Sequence, residues 1–248
     1  MLIVFSTVVL TVSTVLAEKS IEFEMTADFY SKYIWRGQNI NDDYAFQTGL
    51  SATYKHLTAS VWGNLDLTEI NNNRGEFTEW DYSLDYSDSI GKDGKIGYSV
   101  GIINYHFPGV VGDTTEFYWG LSLDVPLSPS LTVYHDIDNV EGTYACLGLS
   151  HAIENITKSG KNFTVDLELG ASLGWGNSSY NRAYWSVDES KLNDLAFSLA
   201  LPVELGGGWT VTPSFNYVTL VNDDIRDSDA FGTDSDFFFT GISISKSF

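Results

Sequence analysis

After residue 20, apolar and polar residues alternate with a period of two along nearly the whole chain. No segment there carries the 3.6-residue period of an amphipathic helix. The first candidate strand sets Ile21, Phe23, Met25, Ala27 and Phe29, then Tyr33 and Trp35, against Glu22, Glu24, Thr26 and Asp28. The plainest sets Phe163, Val165, Leu167, Leu169, Ala171, Leu173 and Trp175 against Thr164, Asp166, Glu168, Gly170, Ser172 and Gly174. The same alternation predicts strands over 44–54, 57–67, 80–86, 96–102, 117–125, 131–133, 145–149, 195–205, 209–217 and 238–248, twelve in all. Many are about ten residues long, roughly twice the usual length of a soluble strand. The even-numbered links are mostly compact: Lys55-His56, Ser87 to Gly94, Pro126 to Pro129, and Gly206-Gly207-Gly208. The odd-numbered links include the two longest, 176–193 and 222–236. Two links break the rule: the one near Asn139 is short, and Glu154 to Lys161 is long. The pattern predicts one all-β domain over 18–248, a transmembrane antiparallel up-and-down β-barrel of about twelve strands with short turns at one end.

The polar face decides between a membrane barrel and a soluble sandwich. It is filled by Gly, Ser, Thr, Tyr, Asp and Glu with few Lys, whereas a water-facing sheet uses Lys freely to protect its edges. By parity Glu22, Glu24, Asp28, Asp66, Glu79, Asp81, Asp85, Glu116, Asp124, Asp136, Asp138, Asp166, Glu168 and Glu204 all fall on it. No acid within a predicted strand falls on the apolar face. An ionised group facing lipid at mid-depth costs about 2–4 kcal/mol if basic and somewhat less if acidic. The apolar face therefore reads as lipid-facing, and the acids as candidate pore-lining residues. Aromatic residues near predicted strand ends, Tyr33, Trp35, Tyr44, Trp80, Trp175, Trp209 and Phe248, fit interfacial girdles.

Composition narrows the functions. The 248 residues carry 13 Lys+Arg against 33 Asp+Glu, a net charge of −20, which excludes a nucleic-acid footprint and a basic lipid-docking patch. A single cysteine, Cys146, excludes a disulfide framework and reads as a small lumen filler. Residues 1–17 form an uncharged apolar run with Val15 and Ala17 placed for cleavage before Glu18, a secretory signal peptide too short to span a bilayer. No Lys or Arg precedes the run.

The segment from Thr26 through Asp28, Tyr33 and Trp35 to Arg36-Gly37 resembles the opening "T-x-D-Y…RG" strand of TorF-type porins. The next hairpin, Phe46 to Leu50 and Ala59 to Asp66, is similar to that family too, as is the closing strand. The resemblance is clearest over about the first 70 residues, and the Ser-containing loop usual after Arg-Gly is replaced here by Gln38-Asn39-Ile40-Asn41. It implies a Gram-negative outer-membrane barrel with a pore of unassigned substrate, with Asp28, Tyr33, Arg36 and Gly37 as motif residues. The chain's end, with alternating Ile242 and Ile244 and a terminal Phe248, looks like the closing signal that the barrel-assembly machinery recognises. Lys246 interrupts that series only where its side chain can snorkel to the interface.

The expected function is passive passage of small hydrophilic solutes or ions. The acidic lumen gives it a preference for cations, as acidic rings do. Two alternatives stand beside it. One is a closed barrel acting as a surface-binding or structural module through its long loops, and the other is a secreted soluble β-barrel that binds a ligand. Expected partners are outer-membrane lipid and lipopolysaccharide, the assembly machinery and small cations, with no nucleic acid. No cofactor and no metal site are expected. The acid-rich 222–236 loop lacks the EF-hand pattern. The four histidines, His56, His106, His135 and His151, are scattered. His135 and Asp136 are strand neighbours and point to opposite faces, so an enzyme is not expected.

Overall fold

The computed structural model describes residues 20–91, 94–109, 112–157 and 163–248, and the predicted signal peptide, 1–17, lies outside the described residues. In chain order the elements are β1 (Glu22–Tyr30), β2 (Tyr33–Trp35), β3 (Gln38–Asn41), β4 (Ala45–Tyr54), β5 (Leu57–Asp66) and β6 (Phe77–Ile90). They continue with β7 (Ile96–His106), β8 (Thr114–Leu123), β9 (Ser130–Asp136), β10 (Thr143–Ile153), β11 (Thr164–Val165) and β12 (Leu167–Gly176). The last are α1 (Ser178–Trp185), β13 (Lys191–Ala200), β14 (Val203–Gly206), β15 (Trp209–Leu220), α2 (Asp223–Arg226) and β16 (Asp236–Ser247).

Twelve of these strands form the wall: β1, β4 to β10, β12, β13, β15 and β16. Each pairs antiparallel with its neighbour, and the ring closes where β16 pairs with both β15 and β1. Ala27 faces Ile244 and Phe29 faces Ile242 across that seam, and the Phe248 amide donates to the Phe23 carbonyl at 2.9 Å. Closure pairs every wall strand on both edges, as a bilayer core without water requires.

The period of two sorts the side chains as expected. Val100, Phe117, Leu147, Phe197 and Phe215 face outward and are 40% to 52% exposed. On β6 the outward set Tyr82, Leu84 and Tyr86 is exposed, while Glu79 and Asp81 are buried inside. Lys246 turns back at the rim, its Nζ bonding the Gly207 carbonyl and lying 5.5 Å from the Trp209 ring and 5.1 Å from the Phe248 ring.

The short irregular link finds a structural reason. The short one, 137–142, is tied down by the Asp136 carboxylate, which accepts the backbone N–H of Asp138 and of Val140 at 3.0 Å each. After the long one, Thr164 and Val165 form β11, which pairs with β14 where the chain has broken from β13 at Leu201-Pro202, so the predicted strand over 163–175 is interrupted at Asp166. The predicted strand over 195–205 is therefore two strands.

One expectation fails at the first strand. β1 ends at Tyr30, and Tyr33 and Trp35 do not continue the outward face. They belong to the β2–β3 hairpin, which folds into the barrel, and Tyr33 is 1% and Trp35 9% exposed. The reversal occurs at Arg36-Gly37, both at positive φ (49° and 81°), the geometry of a tight type I′ turn. These two aromatics are interior residues and not girdle residues.

An arginine placed at mid-belt tests the lipid-facing assignment. Val100→Arg is expected to destabilise the folded barrel by about 2–4 kcal/mol in lipid, read by denaturant titration. The parent should show heat-modifiable gel mobility, and unchanged stability of the variant would move Val100 out of the belt.

Candidate functional site

The hairpin is held in the lumen by its turn. Arg36 reaches across to β8, donating from Nη1 to Glu116 Oε1 at 2.7 Å and from Nη2 to Oε2 at 2.8 Å. Both side chains are almost wholly buried, at 2% and 3% exposed. The guanidinium carbon lies 4.5 Å from the Trp35 ring centroid, 4.3 Å from that of Tyr134 and 4.6 Å from that of Tyr144. The Tyr105 hydroxyl donates a further 2.8 Å bond to Glu116. Paired, forked and stacked, the charge escapes the penalty of an isolated buried ion.

The remaining contacts spread this layer over the cross-section. The Tyr33 hydroxyl donates to Glu79 of β6 at 2.8 Å, and Gln38 donates to the Tyr180 hydroxyl of α1 at 3.1 Å. A Cβ on Gly37 would stand 2.8 Å from Leu220 of β15 and 2.9 Å from Asp194 of β13, so only glycine fits there. Helix α1 caps the layer from the loop side. Its Asn177 N-cap accepts the Tyr180 N–H at 2.9 Å, and Tyr184 packs 5.6 Å from Trp35. The hairpin thus touches the wall from β6 round to β15 and fills the loop-end half. At its root Lys32 bonds Asp42, which holds the Asp42 carboxyl below its ordinary range.

The other half of the lumen is lined differently. Ser51, Ser60, Ser83, Ser99, Ser198, Ser214 and Ser243 are half-buried and inward by strand parity. They line the half of the wall nearer the termini.

The predicted pore-lining acids separate into four groups. Asp66, Glu79, Asp81 and Glu116 are buried together at the level of the hairpin. Asp136 is buried there too, accepting Thr114 Oγ1 at 2.5 Å. Asp28 and Asp85 lie lower, bonded to Ser243 and to Tyr118 and Ser87 respectively. Glu168 is half-buried on β12, and Glu22 and Glu24 are exposed at the terminal mouth. Asp124, Asp166 and Glu204 are not mid-wall residues. Asp124 follows β8, Asp166 accepts the Asn155 N–H at 2.7 Å between β11 and β12, and Glu204 accepts Thr164 Oγ1 at 2.9 Å on β14. Asp138 sits exposed in the link after β9. The motif residues Asp28, Tyr33, Arg36 and Gly37 are all buried inside, while Ile242 and Ile244 face outward on β16 and Phe248 is 66% exposed.

Asp194 stands outside the sequence reading, and Asp236 enters it only as the end of the acid-rich loop. Asp194, buried and bonded by the Tyr144 hydroxyl at 2.9 Å, precedes the predicted strand start at Leu195. Asp236 opens β16 on the outward face, where Tyr217 and Arg226 hold it at 2.8 and 3.0 Å. Among the described residues, no group of three or more His, Cys, Asp or Glu side chains converges as a metal site.

Removing one partner of the Arg36–Glu116 pair leaves a buried charge alone. Glu116→Ala is expected to cost roughly 3–5 kcal/mol of unfolding free energy. The double variant Arg36→Met/Glu116→Ala should lose less than the single one. Additive losses in denaturant melts would mean that the two charges do not act as a pair.

No family model and no curated protein sequence matches this chain significantly. Solved structures do match. The NanC porin in a rhombohedral crystal form is 12% identical, with a TM-score of 0.51 over 90% of this chain and 98% of that one. The KdgM porin is 9% identical, with a TM-score of 0.52 over 92% and 99%. LpxR from Salmonella typhimurium is 10% identical, with a TM-score of 0.51 over 92% and 99%. At these identities the likeness is one of fold: the chain has the closed twelve-strand architecture of outer-membrane porins.

Proposed function

We propose that this chain is a channel of the Gram-negative outer membrane that passes small hydrophilic solutes and prefers cations. Both termini would lie on the periplasmic side, as the even strand count requires, with lipopolysaccharide outside and insertion by the barrel-assembly machinery through β16. The observation that carries the cation preference is the charge of the interior. Among the described residues Asp28, Asp66, Glu79, Asp81, Glu116, Asp136 and Asp194 are buried inside, against one buried base, Arg36. Acidic rings of this kind draw cations and exclude anions. The resemblance of the opening strand to TorF-type porins and the fold shared with the NanC and KdgM porins support the channel alone and carry nothing about its charge preference. An enzyme fits poorly, since His135 is exposed outside and Asp136 buried inside.

A second reading has its own observation. The packed layer around Arg36 fills the loop-end half, which suits a closed barrel that acts through its surface loops. In the channel reading that layer is a resting plug, and the serine-lined half beneath it is the entry to the path.

Planar-bilayer recording under a salt gradient separates the two. The channel reading expects brief, rare steps with a cation-selective reversal potential, a marked rise in open time in Arg36→Ala, and weaker selectivity in Asp85→Asn. Anion-selective steps would discard the charge argument, and a heat-modifiable barrel that stays silent in both parent and Arg36→Ala would leave the closed module.

A further inference from the structure

The outward face of the barrel is hollowed at one level near the termini. Ala52 on β4 pairs with Ala59 on β5, and the side chains around them are large. Phe23 on β1 stands beside Ala52, and Leu84 on β6 beside Ala59. Leu50 and Val61 bound the level toward the loops, and Tyr54 and Leu57 bound it toward the turn. The result is a depression of about 240 Å³ in the apolar surface, lined chiefly by Phe23, Leu50, Ala52, Ala59 and Val61. It opens outward, where Phe23 and Leu50 are 44% and 46% exposed. A hollow in a lipid-facing wall gains contacts only when hydrocarbon fills it.

The hairpin tip beside it carries an uncommitted charge. Lys55 and His56 form the turn between β4 and β5. Lys32, Arg36, Arg182, Lys191 and Arg226 each pair with an acid. Lys55 pairs with none among the described residues, and its Nζ lies 5.4 Å from the Tyr54 ring centroid. An acid at this rim, Asp88, is engaged by His56 at 3.6 Å and by the Ser89 N–H at 2.7 Å. The His56 ring lies 5.8 Å from that of Tyr86, which lies 6.3 Å from that of Tyr98. A free ammonium among tyrosines suits headgroup depth, where it attracts an anionic phosphate. Three residues separate Lys55 from Ala52, about 10 Å along a strand, within one leaflet of a core about 30 Å thick.

We propose that the depression and the hairpin tip together hold one anionic phospholipid, with an acyl chain over Ala52 and Ala59 and the phosphate on Lys55. The site rests on the outer-membrane reading, in which it faces the periplasmic leaflet, and it is independent of whether the barrel conducts. A zwitterionic headgroup would bring its own ammonium toward the lysine, so the anionic lipid is favoured. A second copy of the chain fits less well, because a two-fold contact centred on this hairpin would set Lys55 against Lys55.

The test uses the full-length barrel, inserted into vesicles of equal parts phosphatidylglycerol and phosphatidylcholine, extracted in detergent and weighed by native mass spectrometry. One phosphatidylglycerol is expected to stay bound in preference to phosphatidylcholine. In Lys55→Gln the preference should fall about fivefold, the effect of one basic residue beside an anionic surface. Ala59→Leu, which fills the depression, should lose bound lipid of both kinds, and Lys55→Gln reports alone if that variant does not refold. Equal retention of the two lipids by the parent would overturn the site, as would an unchanged preference in Lys55→Gln. A dimer that Ala59→Leu dissolves would give the depression to a second copy instead. A parent that never inserts, and shows no heat-modifiable mobility, would overturn the membrane reading and the site with it. An inserted, heat-modifiable barrel that retains no lipid would overturn the site alone.

Discussion

Everything in this molecule follows from the seam between β1 and β16. A strand edge in hydrocarbon has no water to bond, so a sheet in lipid must close on itself. Here the seam joins the first and last wall strands, Glu24 to Tyr30 against Gly241 to Ser247, with β15 bonding the far edge of β16. Closure gives every wall strand an inside and an outside, and the period of two then allots each residue to lipid or lumen. The apolar face goes outward, and the acids of the strand middles are driven inward, while Asp236 and Lys246 keep the outward phase only at the ends of β16.

That second consequence creates the interior's problem. A small lumen that collects the strand acids must either stay wide and wet or neutralise them. At the loop end it is neutralised. The β2–β3 hairpin brings one guanidinium to Glu116, the Tyr33 hydroxyl to Glu79, and aromatic faces to fill the space between. Tyrosines serve twice in this layer, packing their rings while donating hydroxyls to Glu79, Glu116 and Asp194. At the terminal end the inward positions are mostly small and polar, Ser51, Ser60, Ser83, Ser99 and Ser243 among them. The two halves of the wall thus differ in side-chain size rather than by any change in the strands.

Most of the wall was legible because parity is a strong signal when one face meets lipid. A one-residue slip would send Asp81 or Glu116 into hydrocarbon, so the alternation along β6, β8 and β12 admits a single register. What parity cannot report is a change of direction. Tyr33 and Trp35 keep the outward phase of Phe29, and only the φ > 0 turn at Arg36-Gly37 turns them inside. The Arg-Gly pair was a visible turn signal, but it was read as the end of a strand rather than the tip of an inner hairpin. Helix α1 escaped because eight residues are too few to show a helical period, and its order comes from the Asn177 cap and the burial of Tyr180 and Trp185. Asp194 was missed for a related reason. It lies next to an irregularity between β12 and β13, where the register shifts and strict alternation lapses.

The interior charges also tie the hairpin to whatever ions the lumen holds. Arg36 is the counter-charge of Glu116 only while the hairpin is in place, and its departure would leave Glu116, Glu79 and Asp81 facing one another without a base. Leaving buried carboxylates unpaired is costly, so an empty lumen favours the hairpin inside. On the channel reading a cation entering among these carboxylates offsets part of that cost, which makes hairpin exit and cation entry linked equilibria, each favouring the other by the same free energy. On the channel reading, the plug and the acids are therefore two halves of one balance: the carboxylates that draw cations in are the ones whose neutralisation releases the arginine that closes the path.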